Sequence, residues 1–187
     1  MHPRVWLFLP TYNEAANLEA IVRATMPQLE AAAPGDWRVL VVDDASPDGT
    51  GEIADRLAAE LPGLEVLHRE GKEGLGAAYL AGFDYALTRG AEFVIVMDAD
   101  FSHDPRDVPA MIEAARDADL VLGSRYVPGG EIIDWPPLRR LLSRSGSVYA
   151  RLMLGVKVRD LTAGFRCVRR EVLETIEPAT LRSQGYV

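Results

Sequence analysis

Asp98 and Asp100 stand one residue apart at the end of the apolar run Phe93–Met97, within FVIVMDADFSHDP. Carboxylates at i and i+2 of an extended segment point the same way. Left alone they repel, and each raises the pKa of the other. A divalent cation removes that conflict, and hard oxygen donors without His or Cys favour Mg2+ or Mn2+ over zinc. Such an ion keeps waters and bridges to a ligand diphosphate, so few protein ligands suffice. The plainer alternative is that one of the pair caps the turn before a helix at Pro105. The end of a buried strand, with other acidic loops beside it, favours the metal. His103 lies near the pair and either helps arrange it or is incidental, the second being the preferred reading.

A second acidic turn is VVDDASPDGT, residues 41–50. Ser46 or Asp48 suits the cap of a following helix. Asp44 is the residue assigned to a ligand, because a carboxylate there accepts hydrogen bonds from ribose hydroxyls or base N–H groups. In LRRLLSRSGSVYARLML, residues 138–154, leucines project to one side of a helix and four arginines to the other. Arg139 and Ser143 are expected to hold a phosphate. The apolar side either packs on the body or lies on a membrane surface. GKEGLG lacks the first glycine and the Ser/Thr of a P-loop, and no glycine fingerprint follows the first strand, so ATPase and dinucleotide dehydrogenase are disfavoured.

These residues need a frame. Strands are expected at Arg4–Leu9, Trp37–Asp43, Leu64–Leu67, Phe93–Met97 and Leu120–Leu122. Between them lie amphipathic helices, the first capped by Asn13, the third with Leu80, Phe83, Ala86 and Leu87 on one side. Regular alternation with short connections predicts an α/β fold with a mostly parallel sheet. Ligands of such sheets bind at the carboxyl ends of the strands. Tyr12–Glu14, Asp43–Asp48, Asp98–Asp100 and Ser124–Arg125 all fall at such ends, which makes one candidate site from four loops.

The chain has 187 residues, 48% hydrophobic and 26% charged, enough for one domain with a real core. No apolar run reaches the roughly 18 residues of a membrane span. The first apolar stretch reads as a strand of a cytoplasmic protein, and the single Cys167 as a buried structural thiol. Net charge is −8, unevenly spread. Residues 1–135 carry 10 Lys+Arg against 24 Asp+Glu, and residues 136–187 carry 10 against 4. With the Gly/Pro-dense VPGGEIIDWPP between them, this predicts an acidic nucleotide-binding body, 1–135, and a basic lobe, 136–187, suited to an anionic partner.

PTYNE, VVDDASPDGT, VMDAD, GSRYVPGG, DWP and LTAGFR, in that order and spacing, resemble the family 2 inverting glycosyltransferases, most closely the polyprenol-phosphate (dolichyl-phosphate) mannose synthases. The resemblance implies a GT-A fold and transfer of mannose from GDP-mannose to a polyprenyl phosphate. It implies that Pro10, Tyr12, Glu14, Val42 and Asp44 hold the guanosine part, and that Asp98, Ala99 and Asp100 meet the diphosphate. Asp98, Asp100 and Ser102 would hold the metal, Ser102 standing where the family often carries Gln. Arg125, Arg139 and Ser143 would hold the acceptor phosphate, with Arg125 also acting in catalysis. The acceptor, a phosphate monoester with a second pKa of about 6, is largely a dianion at neutral pH and needs no strong base. The enzyme would sit peripherally at the cytoplasmic membrane face and bind no nucleic acid. The family continues past Val187, so a chain shortened in its basic lobe is expected. Two alternatives stand beside this reading: a transferase using a UDP-sugar with the same lipid acceptor, and a non-catalytic nucleotide- or membrane-binding fragment.

Overall fold

The computed structural model describes residues 4–124, 153, 155, 160 and 163–176. Five strands arise where the sequence predicts them: β1 (Val5–Thr11), β2 (Trp37–Asp43), β3 (Leu64–His68), β4 (Phe93–Val96) and β5 (Leu120–Leu122). Helices α1 (Leu18–Ala32), α2 (Thr50–Glu60) and α3 (Leu75–Thr88) follow the first three strands, and a 3-10 turn (Pro105–Asp107) leads into α4 (Val108–Ala114). A further strand, β6 (Arg166–Arg169), runs into α5 (Arg170–Ile176).

The sheet order is β3-β2-β1-β4-β6-β5. Strands β1 to β4 pair in parallel, and β6 lies antiparallel between β4 and β5. The mostly parallel sheet flanked by helices is thus present. Residues 166–169, beyond the expected boundary at 135/136, are hydrogen-bonded into the middle of the body's sheet. The ladder demands this: β4 and β5 leave a gap one strand wide, and β6 fills it with Cys167 opposite both Ile95 and Val121.

Two apolar layers hold the sheet, and β1 serves both, as a central strand must. Val5, Leu7 and Leu9 face α1, α2 and α4, packing with Leu18, Ile21, Leu57 and Ile112. Trp6 and Phe8 face the other way, onto Tyr79 and Phe83 of α3. The rings of Phe8 and Phe83 meet edge to face at 5.4 Å, a favoured aromatic geometry. Two local expectations are corrected here. On α3 Phe83 and Ala86 are buried and Leu87 packs against them as expected, but Tyr79 takes the core place expected of Leu80, which is half-buried. The helix turns this face inward because Gly82 lets it settle on Phe8, whose ring lies 3.2 Å from where a Cβ would be. Asn13 caps nothing: it has φ 63°, and α1 starts at Leu18, after residues 12–17 have crossed toward the loop that follows β2. Cys167 is fully buried, and burial pushes its thiol up to about 12, so it stays a protonated packing residue.

Beyond β5 the chain passes close to Phe165. A Cβ at Gly123 would lie 2.6 Å from Phe165 Cδ1, and the Gly123 N–H donates to the Phe165 carbonyl at 2.9 Å. Gly123→Ala is therefore expected to lower stability by roughly 1–3 kcal/mol through overpacking. A urea midpoint equal to that of the parent chain would show that the Phe165 ring is free to move.

Candidate functional site

The loops after β1, β2 and β4 meet at the carboxyl edge of the sheet. Pro10 pairs with Val42 and Thr11 with Asp43 where β1 and β2 end, so the residues beyond them emerge side by side. The two loops are then laced together. Asp43 accepts from Thr11 Oγ1 at 3.1 Å and from Ser46 Oγ at 2.6 Å. Ser46 Oγ accepts the Asn13 N–H at 3.0 Å, and Asp48 accepts the Ala15 N–H at 3.1 Å. Asp48 also accepts from Thr50 at the start of α2, and these bonds hold its carboxyl below its ordinary pKa. Thr50 Oγ1 in turn accepts the Glu14 N–H at 2.9 Å. Asp43 and Asp48 are thus occupied by the scaffold, whereas the Asp44 carboxylate takes its partner from beyond β3.

Asp44 is nearly buried and is met by the Arg69 guanidinium at 2.5 Å. Burial raises its pKa, and the hydrogen bond and charge of Arg69 act against that rise. Arg69 is placed by the sheet: as the first residue past β3, its N–H donates to the Asp43 carbonyl at 2.8 Å. Three residues on, Lys72 Nζ stands 3.7 Å over the ring of Tyr12, itself exposed at the surface. Neither cation was singled out from sequence: Lys72 was weighed only within GKEGLG as a failed phosphate loop, and Arg69 precedes it. The available signal was the presence of two cations just past a strand whose neighbour, β2, runs out into Asp43 and Asp44. Val42 is buried and offers a ligand only its backbone, while Pro10 and Glu14 are half-buried at the mouth.

At the end of β4, Ala99 is buried while Asp98 and Asp100 face outward. Asp100 Oδ1 accepts the Ser102 N–H at 2.9 Å, across Phe101, which has φ 60°. Asp98 Oδ2 lies 3.2 Å from His103 Nε2. Asn13, Ala45 and Phe101 are the non-glycine residues of positive φ among the described residues, one in each of the three loops. Such conformations cost about 1 kcal/mol or more each, and they collect where a loop must aim its side chains. Arg125, Arg139 and Ser143 lie outside the described residues.

The arrangement suits a divalent ion of a particular kind. Among the described residues no group of three or more His, Cys, Asp or Glu converges, so a cage built wholly of protein is absent. Two carboxylates with room beside them fit Mg2+ or Mn2+, whose other positions go to water and phosphate oxygens. Gly164 packs against one of these carboxylates: a Cβ there would stand 3.0 Å from Asp98 Oδ2.

Comparison with known proteins gives the family. The family described as Glycosyl transferase family 2 matches residues 6–177. Undecaprenyl-phosphate mannosyltransferase of Micrococcus luteus is 50% identical over 183 residues, covering 98% of this chain and 73% of that protein. Polyprenol monophosphomannose synthase of Mycolicibacterium smegmatis is 49% identical over 185 residues, covering 98% of this chain and 68% of that one. Among solved structures, a mannosyltransferase from Pyrobaculum calidifontis in complex with GDP-Man and Mn2+ superposes with a TM-score of 0.63. It is 22% identical and the match covers 94% of this chain, which spans about half (47%) of that structure's length. The likeness to that structure is one of fold, the GT-A arrangement. The chain belongs to glycosyl transferase family 2.

Proposed function

We propose that the chain transfers mannose from GDP-mannose to a polyprenyl phosphate, with inversion, to give a β-mannosyl phosphate lipid. The observation that carries this reading is the emergence of Asp98 and Asp100 at the end of β4, beside the Asp44 loop, in a chain about half identical to two polyprenyl-phosphate mannosyltransferases. In it, Tyr12 and Asp44, with Pro10, Glu14 and Val42, take the guanosine part. Asp98, Ala99 and Asp100 meet the diphosphate, and Asp98, Asp100 and Ser102 hold Mg2+ or Mn2+. When bound, the metal supplies positive charge against that building on the departing GDP. Arg125, Arg139 and Ser143 take the acceptor phosphate, offsetting its repulsion from the donor. The acceptor is nucleophilic without a general base. The excess of basic residues over 136–187 suits the anionic lipid phosphate, and the protein works peripherally at the cytoplasmic membrane face. Among the described residues no helix is long and apolar enough to cross a membrane.

Calorimetric titration with GDP, UDP and GDP-mannose, with and without Mn2+, tests the donor half. The expected result is Mn2+-dependent binding of GDP and GDP-mannose with little binding of UDP. A preference for UDP moves the assignment to a different nucleotide sugar, and binding of none removes the donor assignment.

A further inference from the structure

We propose that His103 is a positioning residue for Asp98, holding one carboxylate oxygen so that the other is presented to the metal and diphosphate. The inference rests on the assignment of Asp98 to that site. The geometry is built from three segments of the chain. His103 Nε2 stands 3.2 Å from Asp98 Oδ2, and with a carboxylate facing it this nitrogen carries the hydrogen and donates. The His103 ring is stacked on Phe165, with centroids 5.2 Å apart and planes 27° apart. Phe165 is buried and seated against Gly123, its carbonyl accepting the Gly123 N–H. At Gly164 a Cβ would come 3.0 Å from Asp98 Oδ2 and 3.4 Å from His103 Nε2. The glycine therefore leaves open the space in which imidazole and carboxylate meet.

Why the contact matters follows from exposure. The Asp98 side chain is 37% exposed and the His103 side chain 15%. A carboxylate that open samples several rotamers, and binding a cation through it costs the entropy of fixing one. An outer partner that fixes the ligand beforehand removes that cost from the binding step. Phe165 fixes the plane of the imidazole, His103 fixes Asp98 Oδ2, and Asp98 Oδ1 is left to turn outward. The motif LTAGFR thereby gains a physical role, since its Gly164 and Phe165 are the floor beneath the His–Asp contact.

The test compares His103→Phe, which keeps an aromatic ring on Phe165 and loses the donor, with His103→Gln, which retains an N–H donor. Calorimetry measures GDP binding with Mn2+, electron paramagnetic resonance measures Mn2+ bound in the presence of GDP, and guanosine binding serves as the metal-independent control. His103→Phe is expected to weaken Mn2+-dependent GDP binding about tenfold with guanosine affinity unchanged, and His103→Gln to recover most of the loss. Gly164→Ala, which presses on the same contact without touching the imidazole, is expected to weaken Mn2+ binding in the same way. Parent-like Mn2+ and GDP affinity in both His103→Phe and Gly164→Ala overturns the positioning role alone. Equal weakening in the Phe and Gln variants also overturns it, because the donor would then not matter. A parent chain that binds GDP with no effect of Mn2+ overturns the assignment of Asp98 itself, and this inference with it.

Discussion

Asp100→Ala is expected to lower metal-dependent sugar transfer by about a thousand-fold or more, ~4 kcal/mol in the barrier, while the thermal midpoint stays close to that of the parent. The two halves of that expectation have separate causes. Asp100 is exposed, and its one hydrogen bond in the turn is with the Ser102 N–H, which water can satisfy after the carboxylate is gone. Exposed substitutions of this kind change stability by about 0.5 kcal/mol or less. The functional loss is larger because a site with two protein carboxylates loses half its anionic donors in one step. The negative charge of the diphosphate then lacks a firmly held counter-ion as the leaving group departs. Asp100→Asn keeps an acceptor for Ser102 but not the anionic donor, and is expected to be nearly as inactive. Initial rates with Mg2+ and with Mn2+ decide it: near-parental turnover in either metal would remove Asp100 from the metal site.

The frame around that site was legible because its signals are local. Each parallel strand is a short apolar run, and each helix follows within a few residues, so spacing alone ordered β1 to β5. The carboxylates were legible too, since a strand's end is where such sheets expose polar side chains. What escaped depends on contacts between distant segments. β6 is four residues long, with arginines at both ends, and becomes a strand because β4 and β5 leave it a place. Nothing in RCVR announces that. Tyr79 replaces Leu80 in the core because two aromatic rings and Gly82 interlock across α3 and β1, which periodicity does not see. Asn13 is a fair cap by residue type, but its N–H is claimed by Ser46, 33 positions later. The same distance effect hid the partners of the acids: Arg69 reaches Asp44 from 25 positions away, and Phe165 supports His103 from across the sheet edge. Sequence pattern identified which acids stand at the edge. Only the packed loops separate Asp43 and Asp48, which tie the two loops together, from Asp44, which pairs with Arg69, and from Asp98 and Asp100 at the end of β4.

Arg69→Met is expected to destabilise the fold by about 3 kcal/mol at neutral pH, because it strips the partner from a buried carboxylate. The Arg69 and Asp44 side chains are 11% and 7% exposed, so water cannot take over the lost interaction. The second ion pair of Arg69, with Glu73, contributes little, since Glu73 is 74% exposed. The pH dependence carries the sign. Burial already raises the folded pKa of Asp44 above its ordinary value, with Arg69 as the main opposing influence. A carboxyl raised in the folded state binds its proton more tightly there than in the unfolded chain. Its contribution is thus fully present below the unfolded pKa and is lost as pH rises through the folded one. Removing Arg69 pushes the folded value higher and widens that window. The deficit of the variant is therefore largest at neutral pH and shrinks as the pH falls toward the ordinary carboxylate range. Urea unfolding at several pH values measures this directly, and a deficit independent of pH would assign the loss to the packing of the Arg69 stem. Adding Asp44→Asn removes the stranded charge, so the double variant is expected to recover much of the stability at neutral pH. Under the proposed assignment of Asp44 to the nucleoside, the double variant regains stability without regaining guanosine binding, because the carboxylate that would accept from the nucleoside is gone.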